Sequence, residues 1–165
     1  MVWTNVQCQD RVTVARGRFR SKIDLGDAYF QTRVHPDVVK YNTIKTPFGG
    51  FTSQVMVQGD MNAPGTFVRT MEDLFHDELA KNLWVYIDDI FVFSETFEEH
   101  VKGVTNPCSK LQNAGYYANP KKSVFFATKL DILGHMIHDD GIHPAPDKIR
   151  TIMDWTRPES QKELH

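Results

Sequence analysis

One stretch of this chain decides its fold: Leu83-Trp84-Val85-Tyr86-Ile87-Asp88-Asp89-Ile90-Phe91-Val92-Phe93. β-Branched and aromatic residues dominate it and favour strands, whereas the two adjacent aspartates at its centre favour a turn. The pattern therefore predicts a β-hairpin with Asp88 and Asp89 at its tip. Because an ionised carboxylate is costly to bury without a partner, we expect this tip to face a cleft or a cation. An ordinary surface turn is the alternative.

A third aspartate lies upstream in a similar setting. Asp24 follows a predicted strand over residues 19–23. Mg²⁺ prefers one or two protein carboxylates together with substrate phosphates. Two-metal phosphoryl transfer uses carboxylates from separate elements around ions that lie about 3.5–4 Å apart. Asp24, Asp88 and Asp89 are therefore candidate metal ligands and candidate catalytic residues.

Further motifs follow one another in an order that is typical of one protein family. They are Lys22-Ile23-Asp24-Leu25, the block from Gln58 to Phe67, Tyr86-Ile87-Asp88-Asp89, Asn119-Pro120-Lys121-Lys122 and Leu133-Gly134-His135. The sequence resembles the palm of a reverse transcriptase, most closely those of gypsy-type LTR retrotransposons. Within that group it resembles a fungal-like member. The resemblance implies an α+β fold, in which the antiparallel sheet of a polymerase palm has helices packed on one face, plus partial fingers.

The resemblance implies an RNA-directed DNA polymerase. Such an enzyme adds deoxynucleotides to a primer 3′ end with Mg²⁺, or with Mn²⁺ in its place, bound at Asp24, Asp88 and Asp89. Its implied partners are an RNA or DNA template with its primer and deoxynucleoside triphosphates. The alternative is a catalytically weak or silent module, derived from a retroelement, that binds nucleic acid or protein. Weak net basicity favours the alternative, and retention of the three acids favours the polymerase.

The resemblance also implies roles for residues around the three acids. Tyr29 is the implied steric gate against a 2′-hydroxyl, with a core tyrosine as the alternative. Lys122 is implied to lie near the triphosphate, with a solvated loop lysine as the alternative. The remaining implied residues are the nucleotide-binding Leu25, Gly26, Asp27, Ala28, Gln58 and Gly59, the YxDD-hairpin residues Tyr86 and Ile87, and the primer-grip residues Leu133, Gly134 and His135.

Length and composition set further expectations. A chain of 165 residues suits a single domain. The resemblance implies that this domain, over residues 1–165, consists of partial fingers and palm, without thumb or RNase H. No apolar run approaches the ~20 residues that span a bilayer, and the N-terminus lacks the apolar core of a signal peptide, so we expect an intracellular protein without a membrane partner. A net charge of −2 predicts weak, salt-sensitive binding of primer–template. A homo-oligomer is expected to bind more tightly, because a second copy would supply the wall of the cleft that palm and partial fingers lack. Arg16, Arg18 and Arg20 are candidates to replace the triphosphate-binding residues of the upstream fingers.

Local patterns predict the remaining elements. Further strands are expected over residues 31–35, 41–46, 51–57, 123–126 and 132–137, with a turn at Asp140-Gly141. Helices are expected after Asn62, after a Thr96–Glu99 capping box and over residues 147–155. Pro107 is predicted to interrupt the second of these helices. Its core-facing stripe is expected to contain Phe97, Val101, Val104, Cys108 and Leu111.

Overall fold

The computed structural model describes residues 17–79 and 81–155. The strands are β1 (Phe19–Asp24), β2 (Thr43–Thr46), β3 (Gly49–Thr52), β4 (Leu83–Tyr86), β5 (Asp89–Ser94), β6 (Val124–Ala127), β7 (Leu130–Ile132), β8 (His135–His138) and β9 (Gly141–Pro144). The helices are α1 (Ala28–Gln31), α2 (Pro36–Val39), α3 (Ala63–Leu74), α4 (Phe97–Asn113) and α5 (Pro146–Met153). None of the helices in these residues is long and apolar enough to cross a membrane.

An antiparallel sheet with the strand order β4-β5-β1-β6 forms the centre of the fold. The predicted hairpin is its β4–β5 pair. Because Tyr86 pairs with Asp89, the tip is Ile87-Asp88, and Asp89 begins β5 instead of lying at the predicted tip. The strands β2 and β3 form a separate hairpin, and β7, β8 and β9 form a three-stranded antiparallel sheet. This arrangement of antiparallel sheets with helices confirms the expected α+β fold class.

The two faces of the central sheet are covered differently, because successive side chains of a strand point to opposite faces. On one face, Ile23, Ile90 and Val92 join a core that includes Phe67 of α3 and Val104 of α4. On the other face, side chains of β5 pack against the three-stranded sheet. That second core contains Phe91, Phe93, Leu130, Ile132 and Ile137.

Helix α4 begins as predicted but does not stop at its proline. Its capping box is confirmed, since Thr96 Oγ1 accepts from the Glu99 N–H and Glu99 Oε2 accepts from the Thr96 N–H, both at 3.3 Å. The predicted interruption at Pro107 is wrong, because the helix continues through this buried proline. Packing of the helix against the sheet offsets the one backbone hydrogen bond that proline removes.

The face that α4 buries is also shifted from the predicted stripe. Phe97 and Val101 are 52% and 39% exposed, so they do not face the core. The buried face contains His100, Gly103, Val104, Pro107 and Leu111. His100 can be buried there because both ring nitrogens have hydrogen-bond partners: Nε2 lies 2.7 Å from Ser21 Oγ, and Nδ1 lies 3.2 Å from Ser94 Oγ. A paired polar side chain can be buried at modest cost, and hydrophobicity alone does not reveal it.

Several predicted strands are shorter than expected or absent. Residues 31–35 form no strand, and only Arg33 makes an isolated bridge there, to Val55. The strand predicted over residues 132–137 is divided by a turn at Leu133-Gly134 into β7 and β8. Because His138 pairs with Gly141, the next turn lies at Asp139-Asp140, one residue before its predicted place.

Arg20 joins the central sheet to the three-stranded sheet. Its side chain is 1% exposed, and its guanidinium donates to Asp139 Oδ1 at 3.0 Å and to the carbonyl oxygens of Thr128 at 2.7 Å and His138 at 3.3 Å. The expectation that Arg20 contacts a triphosphate is therefore wrong, because these internal contacts bury the guanidinium. Arg16 lies outside the described residues, and Arg18 is exposed beside the Phe19 ring.

Candidate active site

Asp24 and Asp89 lie directly opposite each other where β1 and β5 meet the hairpin tip. Asp24 is 9% exposed, and Asp89 is half-buried. Directly opposed residues of an antiparallel pair place their Cβ atoms about 4.5–5.5 Å apart on the same face, where like charges repel. The register therefore brings together two of the three predicted acids and creates a strong local need for positive charge.

The third acid, Asp88, is attached to the end of β1 by the backbone. Its carbonyl oxygen accepts from the Leu25 N–H at 3.0 Å, and its side chain is exposed. The preceding Ile87 has φ +52, a conformation that is rare for a β-branched residue. Such strain persists only where the surrounding structure imposes it, and it is common at functional sites. The hydrogen bond from Leu25 thus joins the hairpin tip to the residue that follows Asp24.

Lys22 forms an ion pair with Asp89 that sequence reasoning missed. Its Nζ lies 2.8 Å from Asp89 Oδ2, and the two side chains are 25% and 17% exposed. The pKa of Asp89 is raised, chiefly by burial and further by the charges of Asp88 and Asp24, while Lys22 lowers it. Lys22 lies on the same strand face as Asp24, two positions earlier, and this alternation was the available signal.

Among the described residues, no group of three or more His, Cys, Asp or Glu side chains is arranged to hold a metal ion. The donor set nevertheless fits Mg²⁺, which prefers oxygen ligands and takes one or two carboxylates plus substrate phosphates. In the described part of the chain, the carboxylates of Asp24 and Asp88 form no ion pair within 4.0 Å, whereas Asp89 is bound by Lys22. A divalent ion held by Asp24, Asp88 and the phosphates of a substrate is compatible with this arrangement.

The segment after Asp24 carries Tyr29 toward the hairpin tip. The Tyr29 ring lies 5.6 Å from the Phe67 ring, centroid to centroid, and is half-buried. Burial raises the pKa of Tyr29, and the negative charge of Asp88 raises it further. Leu25 and Ala28 are 1% and 2% exposed, so their side chains belong to the core and only their backbone can reach a ligand. Gly26 is half-buried and Asp27 is exposed.

The loop that follows α4, over residues 117–123, makes hydrogen bonds to Asp24 and to the segment after it. The Asn119 N–H donates to the Asp24 carbonyl oxygen at 2.7 Å, and the Asp24 N–H donates to Ser123 Oγ at 3.1 Å. The side chain of Gln31 accepts from the Tyr117 N–H at 2.6 Å and donates to the Gly26 carbonyl oxygen. These positioning contacts were missed because they join segments far apart in sequence. Lys122 lies in this loop with an exposed side chain.

Two other segments, predicted to contact the nucleotide and the primer, lie in turns. Gln58 and Gly59 occupy an exposed turn before α3, where Gly59 has φ +99 and a Cβ there would meet nothing within 4 Å. Its glycine therefore serves backbone conformation, and no hydrogen bond or ion pair joins Gln58 to the acids in the described residues. The predicted primer grip is the β7–β8 turn, with Leu133 and Gly134 at φ +53 and +72.

The predicted primer-grip turn and the β4–β5 hairpin pack against the same aromatic core. Leu133 and Tyr86 both pack against the core that contains Phe91, and the Tyr86 ring lies 5.8 Å from that of Trp84. His135 follows the turn and is half-buried, with Nδ1 3.3 Å from the Leu133 carbonyl oxygen. The two predicted sites therefore pack against one common core.

Comparison with known proteins agrees with this geometry. The family model described as reverse transcriptase (RNA-dependent DNA polymerase) matches residues 6–137. The chain is 30% identical over 152 residues to the retrovirus-related Pol polyprotein from transposon opus of Drosophila melanogaster, which covers 92% of this chain and 15% of that protein. It is also 30% identical over 144 residues to the transposon Tf2-3 polyprotein of Schizosaccharomyces pombe, covering 87% of this chain and 11% of that one.

Among solved structures, the foamy viral protease-reverse transcriptase in complex with RNA/DNA hybrid superposes with a TM-score of 0.81. The two are 26% identical, and the match covers 92% of this chain and 21% of the viral one. This chain thus spans a small part of the proteins that it matches. The agreement in sequence and in fold has one conclusion: the chain belongs to the reverse transcriptase family, in the group that includes the polyproteins of LTR retrotransposons.

Proposed function

We propose that this chain is the polymerase part of a reverse transcriptase and adds deoxynucleotides to a primer 3′ end by two-metal phosphoryl transfer. The observation that supports this proposal is the pairing of β1 with β5, which sets Asp24 opposite Asp89, together with the hydrogen bond from the Leu25 N–H to the Asp88 carbonyl oxygen. We assign the chain to a gypsy-type element with fungal-like sequence and treat residues 1–165 as one domain of partial fingers and palm. The fungal-like assignment rests on the sequence resemblance alone, because the chain is 30% identical to both the insect and the fission-yeast transposon polyproteins.

The residues of this chain would position the reacting groups. Divalent ions, Mg²⁺ or Mn²⁺, when bound supply charge that activates the primer hydroxyl and stabilises the phosphate oxygens. Asp24 and Asp88 would hold them, and Asp89 completes the acidic cluster. The backbone bond from Leu25 to Asp88 keeps the two ligating elements together, so little reorganisation is needed when the nucleotide arrives.

Nucleotide selection would depend on the segment that follows Asp24. Tyr29 lies close enough to Asp88 for that charge to affect its pKa, which supports its role as the gate under the sugar. Leu25, Gly26, Asp27 and Ala28 would contact the nucleotide through this turn. Gln58, Gly59 and Lys122 are proposed to contact it from exposed turns, and Leu133, Gly134 and His135 to support the primer end.

The proposed partners are an RNA or DNA template with its primer and deoxynucleoside triphosphates. The viral structure whose fold this chain shares contains an RNA/DNA hybrid, which supports a duplex in the equivalent cleft. With a net charge of −2, the chain offers weak electrostatic attraction for phosphates. We therefore propose weak binding by the monomer, which self-association would strengthen.

A silent binding module is the second candidate, and the Lys22–Asp89 ion pair favours it, because Asp89 is not free to bind an ion as the structure stands.

Primer extension on an RNA template, first with Mg²⁺ and then with Mn²⁺, separates the two candidates. Extension is expected, and Asp24→Asn and Asp88→Asn are each expected to abolish it. Asp77→Asn, a change of an exposed aspartate outside the site, is the matched control. Binding of primer–template without extension under both ions would establish the silent module.

A further inference from the structure

Lys22 is the basic residue that pairs with a carboxylate of the proposed metal site in the described part of the chain. The distance from its Nζ to Asp89 Oδ2 is 2.8 Å, and both side chains are largely shielded, at 25% and 17% exposed. An exposed ion pair contributes little because water screens it, but a shielded pair at this distance interacts more strongly. The ion pair is therefore a substantial part of the electrostatics of the site.

Packing holds Lys22 in this position. Its cross-strand neighbour is Phe91, which is fully buried, and its ammonium lies 5.9 Å from the centroid of that ring. Phe91 is in turn stacked on Trp84, with ring centroids 5.2 Å apart. A lysine whose stem lies along buried aromatic surface has few alternative rotamers that keep its charge near a carboxylate. The ammonium is thus a fixed charge of the site.

This fixed charge changes how many negative charges remain for metal. Asp24, Asp88 and Asp89 together supply three, and Lys22 compensates one of them through Asp89. The two that remain belong to Asp24 and Asp88, and they balance one divalent ion. A second ion then lacks counter-charge until a nucleotide brings its phosphates, which are the usual additional ligands of Mg²⁺.

We propose that Lys22 is a positioning residue of this site: by neutralising Asp89, it leaves the nucleotide-free protein with a two-carboxylate site, at Asp24 and Asp88, that holds a single divalent ion. The inference rests on the proposed function, because it assumes that these acids bind metal. It differs from the expectation that Asp89 is itself a ligand. Asp89 instead contributes by pairing with Lys22.

A charge-swap cycle on the full chain tests this inference without measuring activity. Mn²⁺ binding is measured by electron paramagnetic resonance of the free ion, with no nucleotide present. Lys22→Met keeps the apolar stem on Phe91 and removes the charge, so Mn²⁺ is expected to bind at least about tenfold more tightly, a change of ~1.4 kcal/mol. Asp89→Asn leaves the ammonium uncompensated and is expected to weaken binding by at least about tenfold, again ~1.4 kcal/mol.

The double variant Lys22→Met/Asp89→Asn decides between the two roles of Asp89. It removes both charges and is expected to bind Mn²⁺ within about threefold of the unmodified chain, a strongly non-additive result. If Asp89 is a direct ligand, removing the ammonium does not restore the lost carboxylate, so the double variant binds Mn²⁺ much more than about threefold less tightly than the unmodified chain, and the inference is overturned. Because the double variant leaves no unpaired buried charge, it stays informative where Lys22→Met alone fails to fold.

Control variants keep the failure of this inference distinct from the failure of the proposed function. Lys102→Met removes an exposed lysine on α4 and is expected to leave Mn²⁺ affinity unchanged. If Asp24→Asn and Asp88→Asn bind Mn²⁺ as well as Asp77→Asn does, the metal site itself is wrong. If those two variants lose binding while the Lys22 series shows no change, the metal site stands and the role of Lys22 is refuted.

Discussion

Replacing Arg20 by methionine tests whether one buried guanidinium holds the two sheets together. Methionine keeps most of the apolar stem and removes the charge that donates to Asp139 and to the carbonyl oxygens of Thr128 and His138. Arg20 is 1% exposed, whereas Asp139 is 58% exposed. The substitution therefore leaves behind an aspartate that water can reach and carbonyl oxygens at the junction between the sheets.

The expected loss follows from these exposures. Removing one partner of a fully buried ion pair costs about 3–5 kcal/mol, because the other charge is left buried and unpaired. Here the aspartate is rehydrated, which lowers the cost, but hydrogen bonds from a charged donor contribute about 1.5–3 kcal/mol and more than one is lost. We expect Arg20→Met to lower the free energy of unfolding by about 3 kcal/mol, a large share of the ~5–15 kcal/mol typical of a domain.

Equilibrium urea unfolding followed by circular dichroism measures this loss. Arg18→Met is the matched control, because Arg18 is exposed and lies over the Phe19 ring at 5.7 Å, and its loss is expected to cost within about 0.5 kcal/mol. Asp139→Asn removes only the exposed partner and is expected to cost about 1 kcal/mol. An Arg20→Met variant no less stable than Arg18→Met would refute the view that this guanidinium joins the sheets.

Two further predictions concern the nucleotide and pH. Tyr29→Val is expected to raise the use of ribonucleotides relative to deoxynucleotides by at least about tenfold, or ~1.4 kcal/mol, in competitive primer extension. Tyr29→Phe, which keeps the ring, should discriminate between the two sugars as the unmodified chain does. Unchanged discrimination in Tyr29→Val would make Tyr29 a packing residue. Burial lowers the pKa of His100, so as pH falls below about 6.5 the unfolded chain takes up a proton that the folded chain does not. The free energy of unfolding contributed by His100 is therefore expected to be fully present above that pH and to fall as pH drops through the folded-state pKa. Urea midpoints measured between pH 5 and 7.5 should depend less on pH in His100→Gln than in the unmodified chain. An equally steep fall in that variant would assign the effect to another group.

Local sequence was sufficient where one short segment contains the whole pattern. The hairpin of β4 and β5 was predictable because apolar residues flank Asp88 and Asp89 on both sides, although the turn is Ile87-Asp88 and Asp89 begins β5. The capping box at Thr96 and Glu99 was predictable for the same reason, since both partners lie within one turn.

Prediction failed where a distant partner decides which side chains are buried. The buried face of α4 was misplaced because His100, a polar residue, is accepted in the core by two serines from different strands, while the apolar Phe97 is left half exposed. Arg20 was misjudged in the same way, because its acceptors belong to a hairpin at the far end of the chain. Hydrophobic pattern identifies candidates for burial, but polar partners determine the outcome.

The acidic site combines both cases. The local sequence around Asp88 and Asp89 presents two equivalent carboxylates, and nothing in it distinguishes their roles. The register of β5 on β1 makes the difference, because it sets Asp89 opposite Asp24 and within reach of Lys22, while Asp88 stays on the turn, outside any ion pair in the described residues. A shift of one residue would send Asp89 to the helix-covered face of the sheet. Cross-strand register, a tertiary property, therefore determines which of the two aspartates pairs with Lys22.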